Sequence, residues 1–262
     1  VLLGVMLFAF AGPPLAARFG LDGTTPDAAL GAAPPARAHP AGTDVLGRDL
    51  LVRTMEGGRV ALRVGLFASA VAVLLGVAWG GGAGLAGGLV DGVMMRVVDV
   101  LSALPQTVFV LVIMAIVSSR SELLLVLLIG GSSWLTLARI VRAQVRALRG
   151  REHVLAARAL GVGPARLLGR HILPAALGPI VVYAVLLVPG AFLEEAFLSF
   201  LGLGVPPPTA SWGTLVQEGA GELAAYPWLL AVPASVMALT ILALAFLGDA
   251  LRDALDPETR RR

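Results

Sequence analysis

The amino-acid sequence predicts an all-α, polytopic transmembrane helical bundle of about six spans, on three observations. Only 14% of the 262 residues are charged and 57% are hydrophobic, whereas soluble domains carry about 25% charged residues. The apolar residues are gathered into long uncharged runs, several of them near the roughly 20 residues that cross a bilayer as a helix. The arginines are concentrated elsewhere: Arg139, Arg142, Arg146, Arg149, Arg151, Arg158, Arg166 and Arg170 share one polar stretch, as in a loop held on the cytoplasmic side of a membrane.

In chain order, residues 1–11 are apolar but short, and Gly12-Pro13-Pro14 interrupts them. A signal peptide is one reading. A first transmembrane helix clipped at its start is preferred, because no charged n-region precedes it. Residues 18–59 are rich in Pro, Gly and Ala and read as an irregular external loop, with a short amphipathic surface helix at 44–53. The second span is 64–90, dense in glycine. The third is 100–119, entered through Arg96 and Asp99 and bent at Pro105. The fourth is 123–138, bounded by Glu122 and Arg139. A polar loop follows to Pro174. The fifth span begins at 172 and runs through Glu194 and Glu195 to about residue 203. Residues 204–226 form a Pro/Gly-rich loop, 228–247 the sixth span, and 248–262 a charged tail. Two parts result: residues 1–60, a first helix plus external loop, and residues 61–262, a core with its polar loop at 139–174.

Arginine placement sets orientation. Arg252 and Arg260, Arg261 and Arg262 lie in the tail, and residues 204–226 hold none. Loop and tail are therefore predicted to be cytoplasmic. Arg18, Arg37, Arg48, Arg53 and Arg59 oppose this assignment from the first external loop.

Composition excludes several functions. The chain has no Cys and no Lys, so disulfides, thiol catalysis and a Gly-Lys-Ser/Thr phosphate loop are absent. Any ATP hydrolysis belongs to another chain. The net charge of +3 is explained by cytoplasmic arginines rather than by nucleic acid. No H-E-x-x-H or comparable pair involves His39, His153 or His171, so no metal site and no catalytic residue is assigned. Gly82, Gly84 and Gly87 match G-x-G-x-x-G, but inside an apolar span rather than a βαβ unit. Gly80, Gly84 and Gly88 are four apart, a spacing that brings two helices together. Trp134, Trp212 and Trp228 fall near expected span ends, where interfacial anchoring is the default role.

The polar loop is the most distinctive stretch, EHVLAARALGVGPARLLGRHILP at 152–174. Residues 152–160 are helix formers, Gly161 suits a helix stop, Gly163-Pro164 suits the cap and first position of a second helix, and Pro174 closes it. The product is a helix–turn–helix elbow with little bulk at its tip. Ala156, Ala157, Gly161, Leu173 and Pro174 stand at the spacing of the coupling loop of binding-protein-dependent ABC transporter permeases. The resemblance extends to HPAGTDVLGRDLLVR (39–53), VDGVMMRVVDVLSALP (90–105), SFLGLGVPPPTASWG (199–213) and LGDALRDALDP (247–257). It is strongest to the peptide/nickel subfamily, and there to the second of two paired permease subunits.

The resemblance implies a six-helix permease in the bacterial cytoplasmic (inner) membrane, surrounded by lipid, with its C-terminus inside. It implies a second homologous permease subunit, two cytoplasmic ATPases that hold ATP and Mg and contact the coupling loop, and an extracytoplasmic substrate-binding protein. The permease itself would be no enzyme and would hold no cofactor. Peptides, nickel or related small solutes are the implied cargo. The coupling residues would be Glu152, Leu155, Ala156, Ala157, Gly161, Leu173 and Pro174. Leu155 stands where the family has its loop glutamate, with Glu152 one turn earlier. His153 replaces a common Tyr, His171 the consensus Ile, and Pro207 a frequent Gln.

Glu194 and Glu195 lie near the end of the fifth span, where ionisable groups face a cavity, a partner or the bundle interior. They fit a polar lining of the translocation path or a hinge contact, and equally an interfacial position with carboxylates in water. The same pair is the best feature of an alternative class, a secondary transporter driven by an ion gradient. Against that class, no internal repeat is visible.

Overall fold

The computed structural model describes residues 1–117 and 120–255. Arg260, Arg261, Arg262, the end of the 247–257 motif, and residues 118–119 of the expected third span lie outside the described residues. Among the described residues ten α-helices follow in order: α1 (Leu2–Arg18), α2 (Leu50–Ala86), α3 (Gly88–Ser102), α4 (Gln106–Ile116), α5 (Glu122–Leu148), α6 (Glu152–Ala159), α7 (Pro164–Arg166), α8 (Leu173–Phe200), α9 (Trp212–Gly221) and α10 (Trp228–Leu255), with a π-helical turn at Leu167–Ile172 before α8. Among the described residues no strand forms, and one isolated bridge pairs Thr43 with Asp49. The all-α class is as the apolar pattern predicts. Four helical runs are long and apolar enough to cross a membrane: Leu50–Ala86, Glu122–Leu148, Pro164–Phe200 and Trp228–Ala254. The pair α3 and α4, bent by 72° at residues 103–105, makes a fifth if it counts as one span. The apolar α1 has 17 residues.

Packing divides the chain into two compact units, one of Val1–Leu66, Ile113–Leu125 and Pro189–Phe246, the other of Phe67–Val112, Val126–Val188 and Leu247–Arg262. In the first unit, α1 runs through Pro13 and Pro14, where the sequence predicted an interruption. Proline removes the amide that would bond the carbonyl four residues back, which orphans the carbonyls of Ala9 and Phe10. The Arg59 guanidinium reaches both, at 3.4 and 3.2 Å, and lies 5.9 Å over the Phe10 ring. Arg59, one of the arginines that opposed the orientation rule, repairs the helix.

No helix forms at 44–49. Asp44 there accepts from the amides of Leu46 and Arg48 in a tight turn. Asp49 caps α2 through the Val52 amide. Asp44 also holds the guanidinium groups of Arg48 and Arg53, each at 2.7 Å, and Arg53 bridges onward to Glu218. His39 bonds Asp49 at 2.8 Å. Nearby, hydrogen bonds from Thr25 and Thr24 pull the Asp22 carboxyl down to about 2.

Trp134 and Trp212 are core residues rather than interfacial anchors, and Trp228 is half-buried. Trp212 is fully buried, stacks edge-on with Phe192 at 5.6 Å and donates to the Thr54 carbonyl. Trp228 donates to Thr43. In the second unit Trp134 packs edge-on against Trp79 at 5.4 Å. An indole can fill a core when its N–H finds an acceptor. Loop 204–226 is not wholly irregular either, because Ser211 and Thr214 form a capping box that starts α9.

The second unit is built on close approach of α2 to α5. A Cβ at Gly76 would lie 2.9 Å from Leu137, at Gly80 2.2 Å from the Ala138 carbonyl oxygen, and at Gly84 2.9 Å from the Arg142 oxygen. The stripe is therefore 76, 80 and 84. Gly88 is not part of it, since α2 ends at Ala86. Helix α5 runs ten residues past the expected end of the fourth span. Its arginines occupy one stripe and meet carboxylates on α3, so they do not end the helix. Arg96 and Asp99 lie inside α3 rather than at its entrance, and Asp99 is the one that pairs with Arg139.

Gly80→Ala should lower the melting temperature of the purified protein through overpacking worth about 3 kcal/mol or more, because backbone cannot move aside. Gly92→Ala, with open space at its Cβ, should be neutral or stabilising by roughly 0.5 kcal/mol. Arg59→Leu should also melt earlier, by about 1–3 kcal/mol for the unsatisfied carbonyls. Adding Pro13→Ala and Pro14→Ala should restore the loss by returning the helical amides. Thermal unfolding in detergent reads all of these.

Candidate functional site

The elbow at 152–174 is anchored on one side and open on the other. Arg151 is the N-cap of α6 and Glu152 lies in its first turn. Val154 and Ala157 are buried against Leu137, Val141 and Val145 of α5, together with Leu167, Ile172 and, from α8, Ala176 and Ile180. Spacing explains this: 137, 141 and 145 form one i, i+4 stripe of α5, and 154 and 157 form one face of α6. Leu155 is half exposed and Leu160 is 86% exposed, so α6 turns its other face outward with Ala156.

The elbow's turn has the chemistry its glycines predict. Val162 N–H bonds the Ala157 carbonyl and Gly161 N–H bonds that of Arg158, the paired bonds of a Schellman stop. Gly161 sits at φ +82, the left-handed region that costs other residues about 1–2 kcal/mol. Gly163 caps α7 with Pro164 at its first position. Pro174, expected to close the elbow, instead lies inside α8. The π turn before it, in which Leu173 N–H reaches back to Leu168, absorbs the missing proline amide. From Pro164 to Phe200 the helical run is continuous, so the second arm of the elbow is the start of a span. Leu173 is half-buried beside that cluster, and Pro174 is exposed.

Beneath the elbow, α5 carries a second, polar stripe. Arg142 grips Asp91 with both Nε and a terminal nitrogen, the latter at 2.8 Å, and Arg146 reaches the same carboxylate at 3.5 Å. Asp91 is 4% exposed and lies in the first turn of α3, where negative charge is favoured. Arg139 bonds Asp99 and Ser102, and Arg149 bonds the Gly84 carbonyl. The resemblance marks the stretch 90–105 that holds Asp91, but nothing in it points to the partner of Asp91, an arginine 51 positions away.

In the first unit, Glu195 is completely buried. One carboxyl oxygen accepts from Ser199 at 2.7 Å and the other has no hydrogen-bond partner. Glu194 is half-buried. The pair is therefore split between two environments. The same unit holds a cavity of about 390 Å³ lined in part by Arg48, Arg53, Pro206, Pro207 and Glu218. Among the described residues no group of three or more His, Asp or Glu could hold a metal.

A family model described as "Binding-protein-dependent transport system inner membrane component" matches residues 72–261. The chain is 41% identical over 261 residues to the oligopeptide transport system permease protein OppC of Bacillus subtilis (strain 168), covering 100% of this chain and 84% of that protein. It is 44% identical to OppC of Escherichia coli (strain K12), covering 99% and 85%. It is 42% identical to the dipeptide transport system permease protein DppC of Bacillus subtilis, covering 87% and 71%. A crystal structure of an amino acid ABC transporter with histidines superposes with TM-score 0.56 at 17% identity, over 77% of this chain and 94% of that one, which shows the fold. With the elbow, the apolar helices and these relatives in agreement, the chain belongs to the family of binding-protein-dependent transport system inner membrane components.

Proposed function

We propose that this chain is the membrane permease subunit of an ATP-driven importer for peptides, the solute class in the names of its relatives. It pairs with a second, homologous permease subunit. Of two ATPase subunits, which bind ATP and Mg, one docks on the elbow at 152–174 and the other on the second permease. An extracytoplasmic binding protein delivers the cargo. The elbow and the C-terminus face the cytoplasm, as the arginines of the elbow argue. The external arginines Arg48, Arg53 and Arg59 fit this orientation, because each is engaged with carboxylates or helix carbonyls.

The observation that carries the reading is the elbow itself. It holds Leu155, Ala156, Leu160 and Gly161 outward on a base fixed by Val154, Ala157, Leu167 and Ile172. An exposed leucine on a rigid, narrow tip is suited to insert into a groove of a partner. Glu152 lies one helical turn before Leu155, which stands where the family has its loop glutamate. The chain lacks any lysine, so the phosphate-binding loop must be supplied by the ATPase. ATP-driven closure of the two ATPases would draw the elbows together, and α5 and α8 would carry that motion into the spans.

Two substitutions test the reading in cells that express the full importer. Gly161→Asp places a charge at the tip, where an added Cβ meets nothing within 4 Å, and strains the turn at φ +82 by about 1–2 kcal/mol. Membrane insertion should be retained, and uptake of labelled tri-alanine should fall to background. Normal uptake would refute the assignment. Leu160→Ala should weaken co-purification of the ATPases about tenfold or more, as expected when roughly 1.5–3 kcal/mol of leucine burial is lost. Unchanged capture would remove Leu160 from the interface.

A further inference from the structure

Helix α5 contacts the elbow and α3 through different faces. Leu137, Val141 and Val145 hold the elbow. Arg139, Arg142 and Arg146, spaced i, i+3 and i+7, hold α3. The bonds to α3 and its continuation form an antiparallel ladder: Arg142 to Asp91, Arg139 to Asp99 and Ser102, and Ser133 to Gln106. The ladder starts at the end of α3 nearest the elbow and finishes just past the 72° break into α4. Apolar packing runs alongside, where Met95 and Val98 of α3 are buried with Trp134 and Ala138 of α5 and Ala72 and Ala83 of α2. Trp79 of α2 closes the group by donating to the Met94 carbonyl.

We propose that α3 and α5 form one rigid lever, with Asp91, Arg142 and Arg139 as positioning residues that carry displacement of the elbow to the bend between α3 and α4. This deepens the permease reading and rests on the elbow being the ATPase contact. Two features make the pair rigid. Asp91 is nearly inaccessible and held by a two-pronged guanidinium, and breaking such a pair from one side leaves an uncompensated buried charge. The glycine stripe on α2 brings the backbone of α5 within contact at Ala138 and Arg142, so no slack remains through which α5 could slip. The break at 103–105 is held to α5 only beyond its far edge, by the exposed bond from Gln106 to Ser133, and Ala103, Leu104 and Pro105 are all exposed. Motion delivered along α3 is therefore released there as a change of bend, which is how hinge residues at element ends act.

The test uses the assembled importer, co-expressed with its genomic neighbours and reconstituted in liposomes. Capture of the ATPases is measured first. If the unaltered chain fails to bring them down, the permease reading fails and the lever is not at issue. With capture intact, Asp91→Ala and Arg142→Ala should each leave ATP hydrolysis running and lower tri-alanine uptake per ATP by about 5–150-fold, the range of a typical coupling free energy. Uptake per ATP equal to the unaltered chain overturns the proposal. The native chain has no cysteine, so Asp91→Cys/Arg142→Cys can be bridged by a short bis-thiosulfonate reagent. Bridging should restore transport, because a covalent link replaces the ion pair. If the bridged protein is inactive while the unbridged double variant transports, α3 and α5 must move against each other and the lever is refuted.

Discussion

The close approach of α2 to α5 is the constraint on which the second unit depends. Gly76, Gly80 and Gly84 leave no side chain between the helices, and at Gly80 even a methyl group would enter the Ala138 carbonyl. In an apolar solvent, contact between helices comes from packing rather than from water release, which favours small residues at such seams. With α5 held in this way, its remaining faces are free to organise everything else. One supports Val154, Ala157 and Leu167 of the elbow, and another meets Asp91 and Asp99 of α3.

Polar groups within the helical bundle follow a single logic. An unpaired charge or backbone group in hydrocarbon costs several kcal/mol, and at three places in the described structure an arginine offsets such a cost. Arg59 covers the carbonyls freed by Pro13 and Pro14, Arg53 lies between Asp44 and Glu218, and Arg142 meets Asp91. Glu195 departs from this pattern, with one oxygen on Ser199 and one unpartnered.

Much of the elbow was legible because its chemistry is local. Gly161 stops α6, and Gly163-Pro164 starts α7, for reasons contained within a few residues. The long apolar runs likewise marked α2, α5, α8 and α10. What escaped the sequence depends on partners far along the chain. Pro13 and Pro14 read as a helix end until Arg59 supplies the missing donors. Arg139 read as the end of a span until Asp99 and Asp91 pair with the arginine stripe. Trp134 and Trp212 read as interfacial anchors until Trp79, Phe192 and the Thr54 carbonyl enclose them. Pro174 failed as a stop because the adjoining π turn accommodates it. Ala157, named by its spacing, proved to face inward, while the elbow's outward apolar contact falls to Leu160, which no motif marks.

The central claim is that this chain acts as one permease of a larger importer, gripped at 152–174 by separate ATPases. Native mass spectrometry of the chain, co-expressed with its genomic neighbours and released from detergent, tests it most directly. The account predicts a complex of this chain with one different permease chain and two ATPase copies, and loss of the ATPases alone when the elbow tip is altered. A chain that flies alone or as a homodimer, with those ATPases present and folded in the same sample, would contradict it.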